Sequence, residues 1–190
     1  MAQPFLDRVK MVLFDPHRFF KTVDKEKGVE PAFKYIAMVA LVPFIIFLVA
    51  AVVFLPFVTS FLTMMNPQMA FLTPFLTGFG VVFIIGFYVF YLISTFISAF
   101  IMHIFVLIGG GKQKYIATYK AAVYGTTPGV LLLWIPIINF IAGLWSWYLQ
   151  IVGIATLHRV SMLRAFGITL IPIAILGVLF LLGLGVSLIA

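Results

Sequence analysis

Residues 35–111 read YIAMVALVPFIIFLVAAVVFLPFVTSFLTMMNPQMAFLTPFLTGFGVVFIIGFYVFYLISTFISAFIMHIFVLIGGG, and this run contains no lysine, arginine, aspartate or glutamate. One membrane helix needs roughly 20 apolar residues, so a run of this length predicts more than one crossing of a bilayer. Beyond Glu30 no carboxylate side chain occurs through to Ala190. Most of the chain is therefore suited to hydrocarbon rather than to acid-base chemistry.

Composition agrees. The chain is 64% hydrophobic and 9% charged, with a mean hydropathy of +1.24, whereas soluble domains carry about a quarter charged residues. The fold class expected is all-α, a polytopic membrane helical bundle forming one unit. A net charge of +7 would suggest nucleic acid in a soluble protein. Here the basic residues flank the apolar runs, where they set orientation and meet anionic lipid, so nucleic acid is not an expected partner. The absence of cysteine excludes disulfides, thiolate metal sites and cysteine nucleophiles. The first apolar stretch follows a charged segment and has the length of a span, which predicts an internal, uncleaved signal.

Residues 1–34 are expected to form a cytoplasmic, interfacial amphipathic segment. Phe5, Val9, Val12 and Leu13 recur at helical spacing, with Asp7, Arg8 and Lys10 largely elsewhere. Asp15-Pro16 restarts a helix, because aspartate caps free amides and proline suits the first position. Phe19, Phe20 and Val23 follow it. The mixed-sign run to Glu30 reads as a solvated turn, with Asp15 and Glu30 as caps.

Residues 35–190 are expected to form a five-span domain, with spans at about 31–57, 80–108, 115–134, 137–157 and 165–188. Pro43 and Pro56 mark kinks, residues 59–74 an uncharged external loop, Gly109-Gly110-Gly111 the end of the second span, and Ile135-Pro136 a tight hairpin. The basic residues up to Lys34, then Lys112, Lys114 and Lys120, then Arg159 and Arg164, all fall on one side of a five-span chain. The positive-inside rule makes that side cytoplasmic and puts the C-terminus outside.

Two spans carry polar or small seams. Tyr91, Ser94, Thr95 and Ser98 share one face of the second, and Asn139, Gly143, Ser146, Gln150 and Gly153 one face of the fourth. Such faces serve helix packing, and the two seams are expected to meet each other. Gly125, Pro128 and Gly129 predict a kink in the third span, since Pro128 cannot donate to the carbonyl of Tyr124. His103 lies on an apolar face near a helix end, where a satisfied structural histidine is expected. Lys112, Lys114, Lys120, Arg159 and Arg164 are candidates for binding lipid headgroups. Gly109 to Lys112 lacks the serine or threonine and the spacing of a phosphate loop, and no nucleophile elbow or zinc-type histidine spacing occurs. No catalytic residue, cofactor or metal ligand is expected.

Taken in order, Asp15-Pro16-His17-Arg18-Phe19-Phe20, the glycine loop at 109–112, Tyr124-Gly125 through Pro128, and the IPIINFIAGLW hairpin at 135–145 resemble the YIP-domain family of Ypt-interacting membrane proteins, in its short prokaryotic form. The resemblance implies a five-helix membrane fold with a cytoplasmic N-terminus, in a prokaryotic cytoplasmic membrane. Eukaryotic members bind Rab-type GTPases through a longer N-terminal region; with about 34 residues there, Rab binding is not carried over to this chain. The expected function is that of a non-enzymatic scaffold that organises the membrane or binds partners. Its expected partners are anionic lipids, other membrane proteins or further copies of itself. The alternative is a small-solute or ion transporter lined by the two seams.

Overall fold

The computed structural model describes residues 4–189, which form α-helices and one 3-10 turn, with no strand among them. Helices α1 (Phe5–Phe14) and α2 (Pro16–Val23) meet at Asp15, whose carboxylate accepts from the Arg18 amide at 3.3 Å while Pro16 opens α2. Val12, Phe19, Phe20 and Val23 are buried against the rest of the protein, while Leu6 and Phe14 of the same segment are exposed.

Helix α3 (Glu30–Met65) runs through both Pro43 and Pro56 for 36 residues, about 54 Å at 1.5 Å per residue. Helix α4 (Leu72–Ile108) is as long and returns antiparallel; Tyr88 Oη donates to the Ala37 carbonyl at 3.0 Å, and Gly80 faces Leu55. The external loop expected at 59–74 shrinks to Asn66 and the 3-10 turn Pro67–Phe71. Its hydroxyls are absorbed by the helix: Thr59 donates to the Pro56 carbonyl at 3.0 Å and Thr63 to the Thr59 carbonyl at 2.9 Å. A threonine bonded backwards in this way hides its polarity, which is why composition alone put the helix end too early.

The expected third span is two pieces, α5 (Tyr115–Gly125) and α6 (Thr127–Leu131). The break falls where Pro128 cannot donate to the Tyr124 carbonyl, which instead accepts the Thr127 hydroxyl at 2.7 Å. Helix α7 (Pro136–His158) runs back beside them, and α8 (Met162–Ile189) packs on α7 and α4, with Trp147 Nε1 donating to Thr169 at 3.0 Å. Among the described residues, four helical stretches are long and apolar enough to cross a membrane: Glu30–Met65, Pro67–Ile108, Pro136–His158 and Met162–Leu182. Five were expected, and residues 115–134 supply no fifth of that kind because the helix breaks and Lys120 is buried within it. Ala190, expected outside, lies beyond the described residues.

The buried residues concentrate at one end. Tyr35, Tyr119, Tyr124, Phe19, Phe20 and Leu149 are fully enclosed there, where α1 and α2 cover α5 and α7 and the first half of α3 meets the last half of α4. The far halves of α3 and α4 continue past this core with large apolar side chains exposed, including Val53, Phe54, Phe57, Phe79 and Phe83.

Candidate functional site

The enclosed end is held by charge as well as by aromatic packing. Arg8 Nη2 donates to Glu26 and to the Tyr124 hydroxyl, and Tyr124 donates to the other Glu26 oxygen at 2.9 Å. The guanidinium lies 5.3 Å from the Tyr124 ring centroid and 5.8 Å from that of Tyr35. Tyr35 in turn bonds the Thr127 hydroxyl at 3.0 Å. One triangle of side chains therefore ties α1, the turn after α2, α3 and the α5–α6 break together.

Lys120 is 3% exposed, and its ammonium donates to the carbonyls of Glu26 at 2.6 Å and Val23 at 3.2 Å. It acts as a buried cap for the end of α2, whereas Lys112, Lys114, Arg159 and Arg164 are exposed, although Lys114 and Lys120 line one crevice with Asp24 and Glu26. Those four exposed residues stand at the same end of the protein; Arg159 reaches Asp24 at 3.9 Å and the Arg164 guanidinium lies beside Gly110.

The two seams face a common neighbour instead of one another. On α7, Asn139 Nδ2 donates to the Gly129 carbonyl at 2.6 Å and Ser146 Oγ accepts from the Gly129 amide at 2.9 Å. Gly125 lies against Gln150, and Gly153 against Ala121 and Phe20, so Gly125 and Gly129 let α5 and α6 approach α7 closely. Gly143 is exposed with open space beside it. On α4, Ser94, Thr95 and Ser98 donate to carbonyls of their own helix, and Thr95 also meets the Tyr119 hydroxyl at 3.3 Å. With Tyr91 they border a gap of about 80 Å³ closed by Ala122 and Val123 of α5 and by Thr126 at the break. Helices α5 and α6 occupy the space between the seams.

One constellation had no sequence signal. His103 of α4 and His158 at the end of α7 bond the same Thr118 hydroxyl, at 2.7 and 2.9 Å, although 55 residues separate them in the chain. Thr118 has one proton, so it donates to one ring and accepts from the other. The second ring nitrogen of His158, Nδ1, is buried without a partner, under Gly111. Among the described residues no three metal-ligating side chains gather. Arg8, Glu26, Tyr124, Lys120 and Thr118 each join two or more segments of this end, and their arrangement cross-links the bundle.

Comparison with known proteins finds no significant match among curated proteins or among solved structures. The family model for the Yip1 domain matches residues 10–184, from α1 into α8. Helix α2, the glycine turn, the broken α5–α6 limb, α3, α4 and α7 all lie within that match, with the second half of α1 and most of α8, and the chain belongs to the Yip1 domain family.

Proposed function

We propose that this Yip1-family membrane protein is a non-enzymatic scaffold that organises its membrane neighbourhood by presenting a long apolar hairpin to lipids and to other membrane proteins. The observation that carries the reading is the division of labour along α3 and α4. Their polar-core halves are covered by the other helices, while the far halves expose large apolar side chains on most sides. A surface of that extent serves contact rather than chemistry.

In this reading the end bearing Lys34, Lys112, Lys114, Arg159 and Arg164 faces the cytoplasm of a prokaryotic cell, where those cations meet anionic lipid. The α5–α6 limb runs beside α7 and completes a fifth passage. Helices α1 and α2 lie at the interface, with Leu6 and Phe14 outward. Rab-type GTPases form no part of the reading.

Two measurements test it. Photo-crosslinkers placed at Val53 and Phe83 are expected to capture membrane proteins or further copies of this chain. In proteoliposomes at pH 6 and pH 8, ion flux is expected to equal that of empty liposomes. Protein-dependent flux that His103→Ala abolishes would replace the scaffold with a transporter.

A further inference from the structure

We propose that the crevice between α1 and the start of α3 holds the headgroup of an anionic phospholipid, with its acyl chains leaving along the outer face of α3. The crevice measures about 400 Å³ and is lined by Phe5 and Arg8 of α1 and by Glu30, Lys34, Tyr35 and Met38 of α3. Residues 30, 34 and 38 follow one another on a single helix face, so the lining passes from charged to apolar along the helix axis. The same face continues with Leu41, Val42 and Ile45, all exposed. A phospholipid has that order of chemistry along its length.

The donors suit a phosphate. Arg8 carries five N–H groups in a planar fork, and its contacts with Glu26 and Tyr124 use Nη2 alone. Arg8 itself lines the crevice, and its side chain keeps 16% of its surface exposed. Lys34 is paired with Glu30 at 2.6 Å, but both are largely exposed. Such a pair is weak in water and lets the ammonium turn to a stronger acceptor. Because each cation has a carboxylate beside it, donor geometry and the neighbouring ammonium, rather than excess charge, decide the ligand. The glycerol hydroxyls of phosphatidylglycerol donate to a carboxylate such as Glu30, which lines the same crevice, whereas the quaternary ammonium of phosphatidylcholine donates no hydrogen bond.

Depth points to a lipid instead of a free anion. Leu6, Lys10 and Phe14 share the outward face of α1 at i, i+4 and i+8 and are exposed. Apolar anchors interleaved with a lysine belong to a helix lying at headgroup level. The mouth of the crevice then opens where lipid phosphates are.

The inference rests on the membrane reading and not on the scaffold role, which flux and crosslinking decide separately. Its test is native mass spectrometry of the detergent-purified protein equilibrated with equal amounts of phosphatidylglycerol and phosphatidylcholine, scoring the last lipid retained. Phosphatidylglycerol is expected to be that lipid, and Lys34→Gln to lower its retention about fivefold, the effect of one well-placed cation. Met38→Asp, which keeps both cations, is expected to lower it as well by blocking the chain path. Lys112→Gln/Lys114→Gln is expected to leave the last lipid in place. Glycerol phosphate, a headgroup without chains, is expected not to displace it. Unchanged retention in Lys34→Gln, equal retention of the two lipids, equal loss in the Lys112/Lys114 variant, or displacement by glycerol phosphate would each overturn the site.

Discussion

A Cβ placed on Gly153 would lie 2.9 Å from two ring carbons of Phe20 and 3.0 Å from the Ala121 Cα, whereas one placed on Gly143 would meet nothing within 4 Å. Two glycines on one seam of α7 thus have opposite tolerances. Gly153→Leu is expected to destabilise the detergent-solubilised protein by about 1–3 kcal/mol through overpacking, and Gly143→Leu to leave its melting temperature unchanged. A silent Gly153→Leu would mean that α2 does not close over α7. The seam was legible in the sequence as a spacing of small residues. Its neighbour was not, because spacing says which face packs and nothing about what arrives there: Phe20 comes from a helix more than 100 residues away in the chain. Lys120 shows the same limit. A lysine between two apolar runs looks solvated, and only the carbonyls of Val23 and Glu26 turn it into a buried cap.

At the level of elements, the N-terminal pair α1 and α2 is fastened by one mixed-charge triangle and by apolar burial. Arg8 and Glu26 keep side-chain exposures of 16% and 21%, so their ion pair is partly shielded from water and worth more than a surface pair. Arg8→Met leaves the Glu26 carboxylate facing Tyr124 without its cation. The change is expected to cost about 1.5–3 kcal/mol, the range for a hydrogen bond to a charged group, and to speed trypsin cleavage at Lys25 and Lys27. Arg8→Met/Glu26→Leu is expected to recover part of the loss, since no unpaired charge then remains. Cleavage rates that are equal in the wild type and both variants would show that the triangle does not hold the segment. The two helices and the Asp15 cap between them were readable from periodicity and from Asp-Pro. Arg8 was taken for part of the polar face because a helical wheel cannot show that Glu26 folds back beneath it. The α5–α6 break was also readable, from Pro128, while its repair by the Thr127 hydroxyl needed the coordinates.

For the whole molecule the open matter is how often the chain crosses. The charge argument anticipated five spans, and four helices have the length and apolarity for it. The limb from Tyr115 to Leu131 amounts to about 25 Å at 1.5 Å per residue, slightly short of a hydrocarbon core about 30 Å thick. Helix α7 alone, with 23 residues, reaches about 34 Å. Contacts from Thr118 with His158 through Gly129 with Ser146 hold the limb antiparallel to α7 along its whole length. If α7 crosses fully, the limb and the turn at 132–135 must cross with it; if the pair only dips into the bilayer, its turn stays in hydrocarbon. Both arrangements leave α8 running the same way, so charge placement satisfies either, and that is why the sequence could not choose. The absence of native cysteine makes single-cysteine labelling clean. With an impermeant maleimide in oriented cells, Asn66→Cys is expected to label from outside and Lys112→Cys only after the membrane is opened. Ile137→Cys, at an exposed position beside the turn, is expected to label from outside like Asn66→Cys if the proposed fifth passage holds. Labelling of Ile137→Cys from neither side, with Asn66→Cys still reactive, would make the α5–α7 hairpin re-entrant and reduce the crossings to three.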